Sequence, residues 1–397
     1  MERIAGIAGI FVFILIAWAL SENRKKFDFK VVIYGILIQF VFALLILKTY
    51  PGKLVFDFLN KAFSKMIDFT GAGSDFVFGG LLKEWSFALT ILPTIIFFSS
   101  FFAVLYYFGI LQLFVKAFAW LLAKVLKTSG AESLSAAANI FIGQTEAPLM
   151  VRPYIEKMTR SELMCVMTGG LATLAGGVLA AYVNMGVSAG HLIAASVMSA
   201  PAAIIFAKIM VPETGVPQTS DLKQIAIPIT DKNAIDAAAR GAGEGVYLAI
   251  NVAAMLVAFI AFVSMFNYFF GFFGTSMEAV LGVIFKPFAF LMGVPWEEAG
   301  QVGTLLGQKT VLNEFIAYDA MTKMNADAAT ALSERSTIIA TYALCGFSNL
   351  GSIAILLGGI GTMAPSRRSD LASLGIKALI AGTFACFITA NIAGLLI

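Results

Sequence analysis

The fold of this chain is decided by a polar stretch inside an apolar segment, which reads Gly143-Gln144-Thr145-Glu146-Ala147-Pro148-Leu149. Burying an ionised carboxylate in hydrocarbon is strongly unfavourable, so a glutamate within a membrane segment indicates a functional site. A second polar stretch follows later and reads Gly307-Gln308-Lys309-Thr310-Val311-Leu312-Asn313-Glu314-Phe315. Each stretch precedes an apolar segment whose middle is polar. Two such pairs in one chain predict a polar site inside a membrane.

The composition indicates a membrane protein with several spans. Of the 397 residues, 59% are hydrophobic and 13% are charged, whereas soluble globular proteins carry roughly 25% charged residues. About eight apolar runs reach the roughly 18 residues that a membrane-crossing helix needs. Because lipid cannot satisfy free backbone groups, these continuous runs predict an all-α polytopic fold and argue against a β-barrel.

The spans and the loops between them predict the topology. The predicted spans are residues 4–20, 31–47, 87–113, 164–185, 191–210, 234–272, 336–357 and 371–397. Amphipathic interfacial helices are expected at 51–80, around 116–127, and at 277–292, where Pro287 should break the helix. Four basic residues in loop 21–30 place it in the cytoplasm by the positive-inside rule, so both termini are predicted on the outer side.

Two segments that are too polar to cross the membrane are predicted to be re-entrant hairpins of opposite orientation. Basic residues flank segment 133–154, so both of its ends are assigned to the cytoplasm, with Gly143 and Pro148 at its tip. Acidic residues flank segment 295–318, which should enter from the outer side. The chain then divides into an N-terminal scaffold (1–86), a first repeat (87–210), a cytoplasmic linker (211–233) and a second, inverted repeat (234–397). Inverted repeats with discontinuous segments indicate a secondary transporter whose site lies near the bilayer midplane.

The spans that follow the two hairpins have weak points at their centres, at 169–177 and 346–352. Glycines and hydroxyls there allow local unwinding, which would turn carbonyl oxygens toward the midplane. Close packing of small residues is the alternative for the glycines of the first span. Carboxylates accept from sugar hydroxyls and amides pair with base edges, so a neutral solute with hydroxyls and an aromatic base fits these groups. Lys309, the one cation near the second polar stretch, is expected to pair with a carboxylate.

Three stretches, 143–149, 313–315 and 347–352, resemble the concentrative nucleoside transporter family in its bacterial, sodium-coupled branch. The resemblance extends over essentially the whole chain. It implies a symporter of the bacterial inner membrane that couples uptake of nucleosides, uridine for example, to sodium and uses no other cofactor. It also implies a homotrimer embedded in lipid, in which a hairpin-bearing transport domain moves against a static scaffold in an elevator-type movement.

The resemblance assigns residues to the two ligands, position by position. Those implied to contact the base are Gln144, Thr145, Glu146 and Val178, and those implied to hold the ribose are Glu314, Asn349 and Ser352, with Phe347 lining the pocket. The implied sodium ligands are the Asn139 side chain, the Ile142 and Leu174 carbonyls, and Thr173. Threonine stands at 173 where the sodium-coupled members are expected to have serine, and its hydroxyl can still bind a hard cation.

Several alternatives compete with this hypothesis. Proton coupling through Glu146 or Glu314 stays open beside sodium, since membrane-embedded carboxylates also serve in proton relays. An intramembrane enzyme would need a nucleophile or metal cluster, and the histidine and cysteines show no such spacing. A passive channel gains little from hairpins with single specific carboxylates.

The net charge of +3 is not gathered into a basic patch, so nucleic acid is not expected as a partner. Because an amide can reorient, the sequence indicates no preference between purine and pyrimidine bases.

Overall fold

The computed structural model describes residues 2–79, 87–219 and 231–397. Within these ranges the chain forms helices and no strand, so the prediction of an all-α fold is confirmed. A π-helical turn, Phe87–Ile91, leads into the fourth helix. The helices of the first part are α1 Glu2–Ala19, α2 Phe29–Lys48, α3 Tyr50–Phe78, α4 Leu92–Tyr107, α5 Ile110–Leu126, α6 Gly130–Ala138, α7 Arg152–Ile155, α8 Arg160–Ala172, α9 Gly176–Asn184 and α10 Ala189–Met210.

The second part of the chain has the same order of helices as residues 87–210. In both, a long helix is followed by an amphipathic helix, a pair of short helices, a span broken into two helices and a final long helix. Its helices are α11 Ala234–Gly271, α12 Met277–Leu291, α13 Ala299–Val311, α14 Glu314–Ala326, α15 Glu334–Leu344, α16 Leu350–Met363 and α17 Arg368–Leu396. The pairs α6–α7 and α13–α14 occupy the two segments predicted as hairpins. That each pair enters and leaves on one side of the membrane, and that the two halves are inverted repeats, stay predictions.

Seven helical segments in the described ranges are long and apolar enough to cross a membrane. They are Glu2–Ala19, Phe29–Lys48, Phe87–Tyr107, Arg160–Asn184, Ala189–Met210, Ala234–Gly271 and Pro365–Leu396. The remaining predicted span, 336–357, consists of two shorter helices, α15 and α16, because the chain unwinds between them. The membrane fold is therefore as expected, and two of its spans are interrupted, one between α8 and α9 and one between α15 and α16.

The predicted amphipathic helices are present as α3, α5 and α12, and their place at the membrane surface stays a prediction. The expected break at Pro287 is wrong, since α12 continues through this residue. A proline removes one backbone donor and can bend a helix without ending it when the neighbouring hydrogen bonds persist. Of the predicted linker, residues 220–230 lie outside the described part of the chain.

The start of α6 is fixed by a buried ionic cluster. Capping boxes begin both α6 and α8, with Ser129 paired to Glu132 and Thr159 to Glu162. The Ser129 hydroxyl also donates to Glu162 at 2.7 Å, and Lys208 at the end of α10 pairs with Glu132. Because an unpaired buried charge is costly, these partners hold the ends of three helices together. This cluster therefore sets the position from which α6 runs into the first polar stretch.

The helices differ sharply in burial. The most hydrophobic window of α8–α9 is 94% buried, that of α10 is 89% and that of α17 is 83%, whereas the corresponding window of α11 is only 11% buried. The exposed residues of α11 are largely apolar, which suits contact with lipid or with another subunit. The polar stretches consequently lie inside a buried helical core, with α11 along one side of it.

Candidate functional site

Two unwound segments cross at the centre of the core. The first, 173–175, separates α8 from α9, and the second, 345–349, separates α15 from α16. The Phe347 backbone N–H donates to the Thr173 carbonyl at 3.3 Å. Gly346 has a φ of +133°, and a Cβ added there would lie 2.8 Å from the carbonyl carbon and oxygen of Ala172. Only glycine allows this approach, so the two breaks are built against each other.

A cavity of about 670 Å³, part of it continuous with solvent, adjoins both breaks. Small-molecule sites commonly occupy roughly 300–1,000 Å³. All of the residues assigned to the substrate from the sequence line this one cavity: Gln144, Thr145, Glu146, Val178, Glu314, Phe347, Asn349 and Ser352. The structure thus brings together residues from both polar stretches and from both broken spans, while their individual roles stay predictions.

Glu314 is a buried carboxylate of the cavity wall that two neighbouring side chains hold by hydrogen bonds. It lies in the first turn of α14, after the N-cap residue Asn313, where the helix dipole favours a negative charge. Tyr182 donates its hydroxyl to Oε1 at 3.0 Å, and Asn349 donates Nδ2 to Oε2 at 2.9 Å. The carboxylate is 3% exposed. These two donors orient the carboxylate and leave part of its acceptor capacity free, since an ionised carboxylate offers about four lone-pair sites.

Asn349 links the carboxylate to the helix that follows the second break. Its Oδ1 accepts the Ser352 backbone N–H at 2.8 Å and caps α16. The Ser352 hydroxyl in turn accepts from Gln144 Nε2 at 3.4 Å. One chain of hydrogen bonds therefore runs from Glu314 through Asn349 and Ser352 to the first polar stretch.

The first polar stretch presents oxygen atoms that have no partner. Gln144 Oε1 and Glu146 Oε2 are buried and accept no hydrogen bond within the described residues. A Cβ at position 143 would collide with Glu146 Oε2, so Gly143 makes room for this carboxylate. Buried polar atoms are normally satisfied, and unsatisfied ones that line a cavity indicate a ligand.

The residues assigned to sodium lie beside the first break. Asn139 caps the end of α6 and donates Nδ2 to the Ser135 carbonyl at 2.9 Å, while its buried Oδ1 lacks a partner. The Thr173 hydroxyl donates to the Gly169 carbonyl at 2.9 Å. A Cβ at Gly169 would lie 3.3 Å from Asn139 Nδ2, which shows that the Asn139 amide packs against the end of α8. Asn139 and Thr173 therefore both lie next to Gly169.

Backbone geometry at this place leaves further oxygens available. The Gly176 N–H donates to the Phe141 carbonyl at 3.1 Å and ties the segment after α6 to the start of α9. Among the bonds formed within the described ranges, none reaches the carbonyl oxygens of Ile142 or Leu174. Neutral oxygens from an amide, a hydroxyl and two carbonyls are suitable ligands for a hard monovalent cation. The residues present thus fit a sodium ion.

Sequence reasoning missed two contributors to the cavity. Tyr182 was not singled out, although its hydroxyl holds Glu314; a lone tyrosine in the small-residue helix α9 was the available signal. The wall formed by α11 was also missed, with Leu248, Asn251, Val252 and Met255. Asn251 is an exposed amide midway along an apolar helix, and such a residue is costly in lipid unless it faces a polar cavity.

The expected ion pair of Lys309 is wrong. Its ammonium donates to the Ala343 carbonyl at 2.9 Å, and no carboxylate of the described residues lies within the 4.0 Å of an ion pair. The reason is local: α13 carries Lys309 toward the end of α15, where backbone carbonyls lack intrahelical donors. The lysine therefore binds a helix end instead of a side chain.

An all-helical membrane fold with a cavity of mixed polar and apolar lining at two crossing helix breaks is typical of secondary transporters of small solutes. Family comparison agrees with this class. The description "Na+ dependent nucleoside transporter C-terminus" matches residues 191–394, the corresponding N-terminus description matches 8–81, and "Nucleoside recognition" matches 88–189. The chain belongs to the concentrative nucleoside transporter family and is of the bacterial type.

Individual relatives are similar over the full chain. An uncharacterized transporter of Haemophilus influenzae is 47% identical over 413 residues, which cover 100% of this chain and 98% of that protein. Human solute carrier family 28 member 3 is 41% identical over 414 residues, which cover 100% of this chain and 60% of that protein. The chain thus spans about 60% of the length of this human relative. These relatives are transporters, which supports a role other than catalysis.

Solved structures of similar chains have the same fold. CNTnw in an inward-facing substrate-bound state matches with a TM-score of 0.94 at 47% identity, covering 100% of this chain and 98% of that one. A variant of CNTnw in an outward-facing state matches with a TM-score of 0.94 at 46% identity, covering 100% and 99%. The predicted family is therefore confirmed.

Proposed function

We propose that this protein is a sodium-coupled symporter that carries nucleosides, uridine among them, into the cell across the bacterial inner membrane. The observation that carries the proposal is Glu314, a buried carboxylate that Tyr182 and Asn349 hold at the cavity wall with lone pairs to spare. Opposite it, Gln144 and Glu146 present unpartnered oxygens. A ligand with hydroxyl donors at one end and amide or amine donors at the other fits both sets.

The ribose binds at the second break in this proposal. Glu314 accepts hydrogen bonds from vicinal hydroxyls, and a charged acceptor makes these bonds stronger than neutral ones. The neighbouring side chains of Asn349 and Ser352 complete the hydroxyl contacts. Because Asn349 caps α16 and also holds Glu314, the ribose contacts depend on the geometry of the break.

The base binds at the first polar stretch. Gln144 offers an acceptor and donors that can pair with the edge of a base, and Thr145 and Glu146 add further polar groups. Val178 and Phe347 provide apolar surface for the faces of the ring, and aromatic contacts favour stacked or edge-on arrangements. An amide that reorients allows both purine and pyrimidine bases.

Sodium binds at the first break, through Asn139 Oδ1, the Thr173 hydroxyl, and the carbonyls of Ile142 and Leu174. The ion would fix the unwound segment 173–175, whose Thr173 carbonyl accepts from Phe347 in the second break. Val178 lies just after this segment. Bound sodium therefore orders the cavity wall that the nucleoside contacts. The nucleoside then binds more tightly to the sodium-bound protein than to the sodium-free protein, and this difference in affinity is what coupling requires.

Burial and the related structures support the proposed transport movement and assembly. The buried core that carries the hairpin segments moves against the α11 wall in an elevator-type movement. Related structures in inward- and outward-facing states support two accessible forms. The exposed apolar face of α11 supports contact with lipid and with partner copies in a homotrimer. The exposed basic turn Arg24–Lys26 supports a cytoplasmic loop and termini on the outer side.

Proton coupling is the second candidate function. The buried Oε2 of Glu146 has no hydrogen-bond partner among the described residues, so it is available to bind a proton. Uptake of radiolabelled uridine into proteoliposomes decides between the two. One set of vesicles receives an inward sodium gradient, and the other receives an inward proton gradient without sodium at the same ionic strength. Accumulation with sodium alone supports the proposal, whereas accumulation with protons alone moves the coupling to a glutamate. Failure to transport any nucleoside under either gradient would refute nucleoside symport.

A further inference from the structure

Lys309 is a buried cation that the proposed substrate and ion sites do not use. It lies in the last turn of α13 and is 1% exposed. Its ammonium donates to the carbonyl of Ala343, in the last turn of α15, at 2.9 Å. A charge inside a membrane protein is expensive unless it is compensated, so such a residue is expected to have a role.

The end of α15 is a place where a positive charge is stabilising. The last carbonyls of a helix lack intrahelical donors and carry the negative end of the helix dipole. Protein donors close this end on three sides. The Tyr318 hydroxyl donates to the Thr341 carbonyl at 2.8 Å, and the Cys386 thiol donates to the Cys345 carbonyl at 2.9 Å. With Lys309 at Ala343, three carbonyls at this helix end accept from side chains of the chain itself.

The end of α8, at the first break, is arranged differently. The Thr173 hydroxyl returns to the Gly169 carbonyl of its own helix, and Asn139 Oδ1 has no partner. The carbonyls of Ile142 and Leu174 accept no bond from the described residues. Within the described residues no lysine or arginine binds the end of α8, and unpartnered oxygens lie beside it, although the element order around both breaks is the same.

We propose that Lys309 is a built-in cation, which does at the second break what the coupling ion does at the first. It holds the end of α15 so that Phe347 and Asn349 keep the geometry that the nucleoside needs. Lys309 is a positioning residue, because it acts through the α15 end and does not line the cavity. The proposal rests on the proposed function, in which sodium occupies the first break.

The proposal makes two different predictions for two substitutions. Lys309→Met removes the charge but fills the space, so the end of α15 loses its cation and nothing can replace it. Lys309→Ser removes the charge, opens the space of the long side chain and leaves a hydroxyl oxygen beside the Ala343 carbonyl. A sodium ion from solution can then take the place of the ammonium.

Equilibrium binding of labelled uridine to purified protein, as a function of sodium concentration, tests both. We expect Lys309→Met to weaken uridine binding at saturating sodium by about tenfold or more, equivalent to about 1.4 kcal/mol. Sodium-induced thermal stabilisation without nucleoside should stay as in the wild type, because the first break is intact. For Lys309→Ser, uridine binding should recover as sodium is raised, with a Hill coefficient that increases from about 1 toward 2.

Controls separate this inference from misfolding and from the proposed function. Lys323→Met removes an exposed lysine of α14 that pairs with Asp319 and should bind uridine like the wild type. Lys309→Arg keeps the charge and should rescue most of the binding that Lys309→Met loses. Wild-type uridine affinity in Lys309→Met, or no sodium-dependent recovery in Lys309→Ser, would overturn the built-in cation. If instead the wild type binds uridine independently of sodium, the proposed coupling fails, while Lys309→Met and Lys309→Arg still test the positioning role.

Discussion

The two helix breaks share an element order and differ in how their charges are compensated. At the first break, Asn139 and two backbone carbonyls present oxygens without donors. At the second break, Lys309 and Tyr318 supply donors to the corresponding helix end, and the Cys386 thiol lies within hydrogen-bonding distance of a carbonyl at both ends, Cys345 at 2.9 Å and Ala172 at 3.7 Å. A broken helix inside a membrane needs its freed groups satisfied. The second break binds a lysine of the chain, whereas the first has unpartnered oxygens beside it, so under the proposed function we expect dependence on sodium at the first break.

The largest effect in this comparison is expected at the second break. Glu314→Gln replaces an acceptor pair with one acceptor and one donor group, and the new NH2 group faces the donors of Tyr182 or Asn349. Hydrogen bonds to charged groups contribute about 1.5–3 kcal/mol each, so uridine affinity should fall roughly 100-fold or become undetectable. Equilibrium binding measures this loss. Glu278→Gln, which changes a carboxylate of α12 that accepts from Asn267, is the control, and wild-type affinity of Glu314→Gln would remove Glu314 from the site.

A pair of glycine substitutions separates strain at one break from ion binding at the other. Gly346→Ala combines a positive φ with a collision against the Ala172 backbone, and we expect a loss of stability of about 1–3 kcal/mol, seen as a lower melting temperature. Gly169→Ala requires only that the Asn139 amide shift by a few tenths of an ångström. It should fold normally and bind sodium more weakly. Equal melting temperatures for the two variants would contradict the different packing of the breaks.

A smaller effect is expected at the first break from Thr173→Ala. Loss of one neutral oxygen ligand corresponds to about 1 kcal/mol, so the sodium concentration for half-maximal uptake should rise roughly fivefold. Uridine affinity at saturating sodium should change less. Thr173→Ser keeps the hydroxyl and is the matched control. If both affinities fall by the same factor, the substitution acts through folding and the assignment of Thr173 to the ion is wrong.

The smallest effect concerns the start of α8, the helix that leads into the first break. Glu22 accepts from Arg160 at 2.9 Å and from Lys377 at 2.7 Å. The Arg160 hydrogen bond is the main cause that lowers the pKa of Glu22 to about 2, against partial burial, with Lys377 adding to it. A lowered folded-state pKa stabilises the protein above the unfolded value of roughly 4.3, and this contribution disappears as the pH falls toward the folded value.

Thermal unfolding in detergent tests this dependence. Glu22→Gln should melt at a lower temperature than the wild type at pH 7, and the difference should shrink as the pH falls below roughly 4.3. Glu297→Gln, at an exposed glutamate of the second half, serves as the control. A difference between Glu22→Gln and wild type that is independent of pH would argue against an ionic role of Glu22.

The two polar stretches and the weak points of the spans were predictable from the residues themselves because polar groups in apolar segments are conspicuous, whereas the individual substrate and sodium residues were implied by the family resemblance. The eight assigned substrate residues line one cavity, and Asn139 and Thr173 both lie next to Gly169 beside the first break. The break between α15 and α16 was also predicted, from the polar run 346–352. The continuous helix through Pro287 and the partner of Lys309 were predicted wrongly. Both depend on which neighbouring groups make up for a missing backbone donor at Pro287 or for the buried charge of Lys309. The sequence around these two residues does not contain that information.

The sequence by itself determined the helical membrane fold and the positions of the polar groups, because hydrocarbon imposes apolar runs and makes each exception costly. Only the tertiary structure decided which of these groups meet. Tyr182 and Glu314 are separated by 132 positions in the chain, and Lys309 and Ala343 by 34. Contacts between such distant residues follow from how helices cross, and at this centre Gly346 alone permits the close approach of the two breaks. The tertiary structure thereby distinguishes a break with unpartnered oxygens beside it from one whose helix end binds a lysine of the chain.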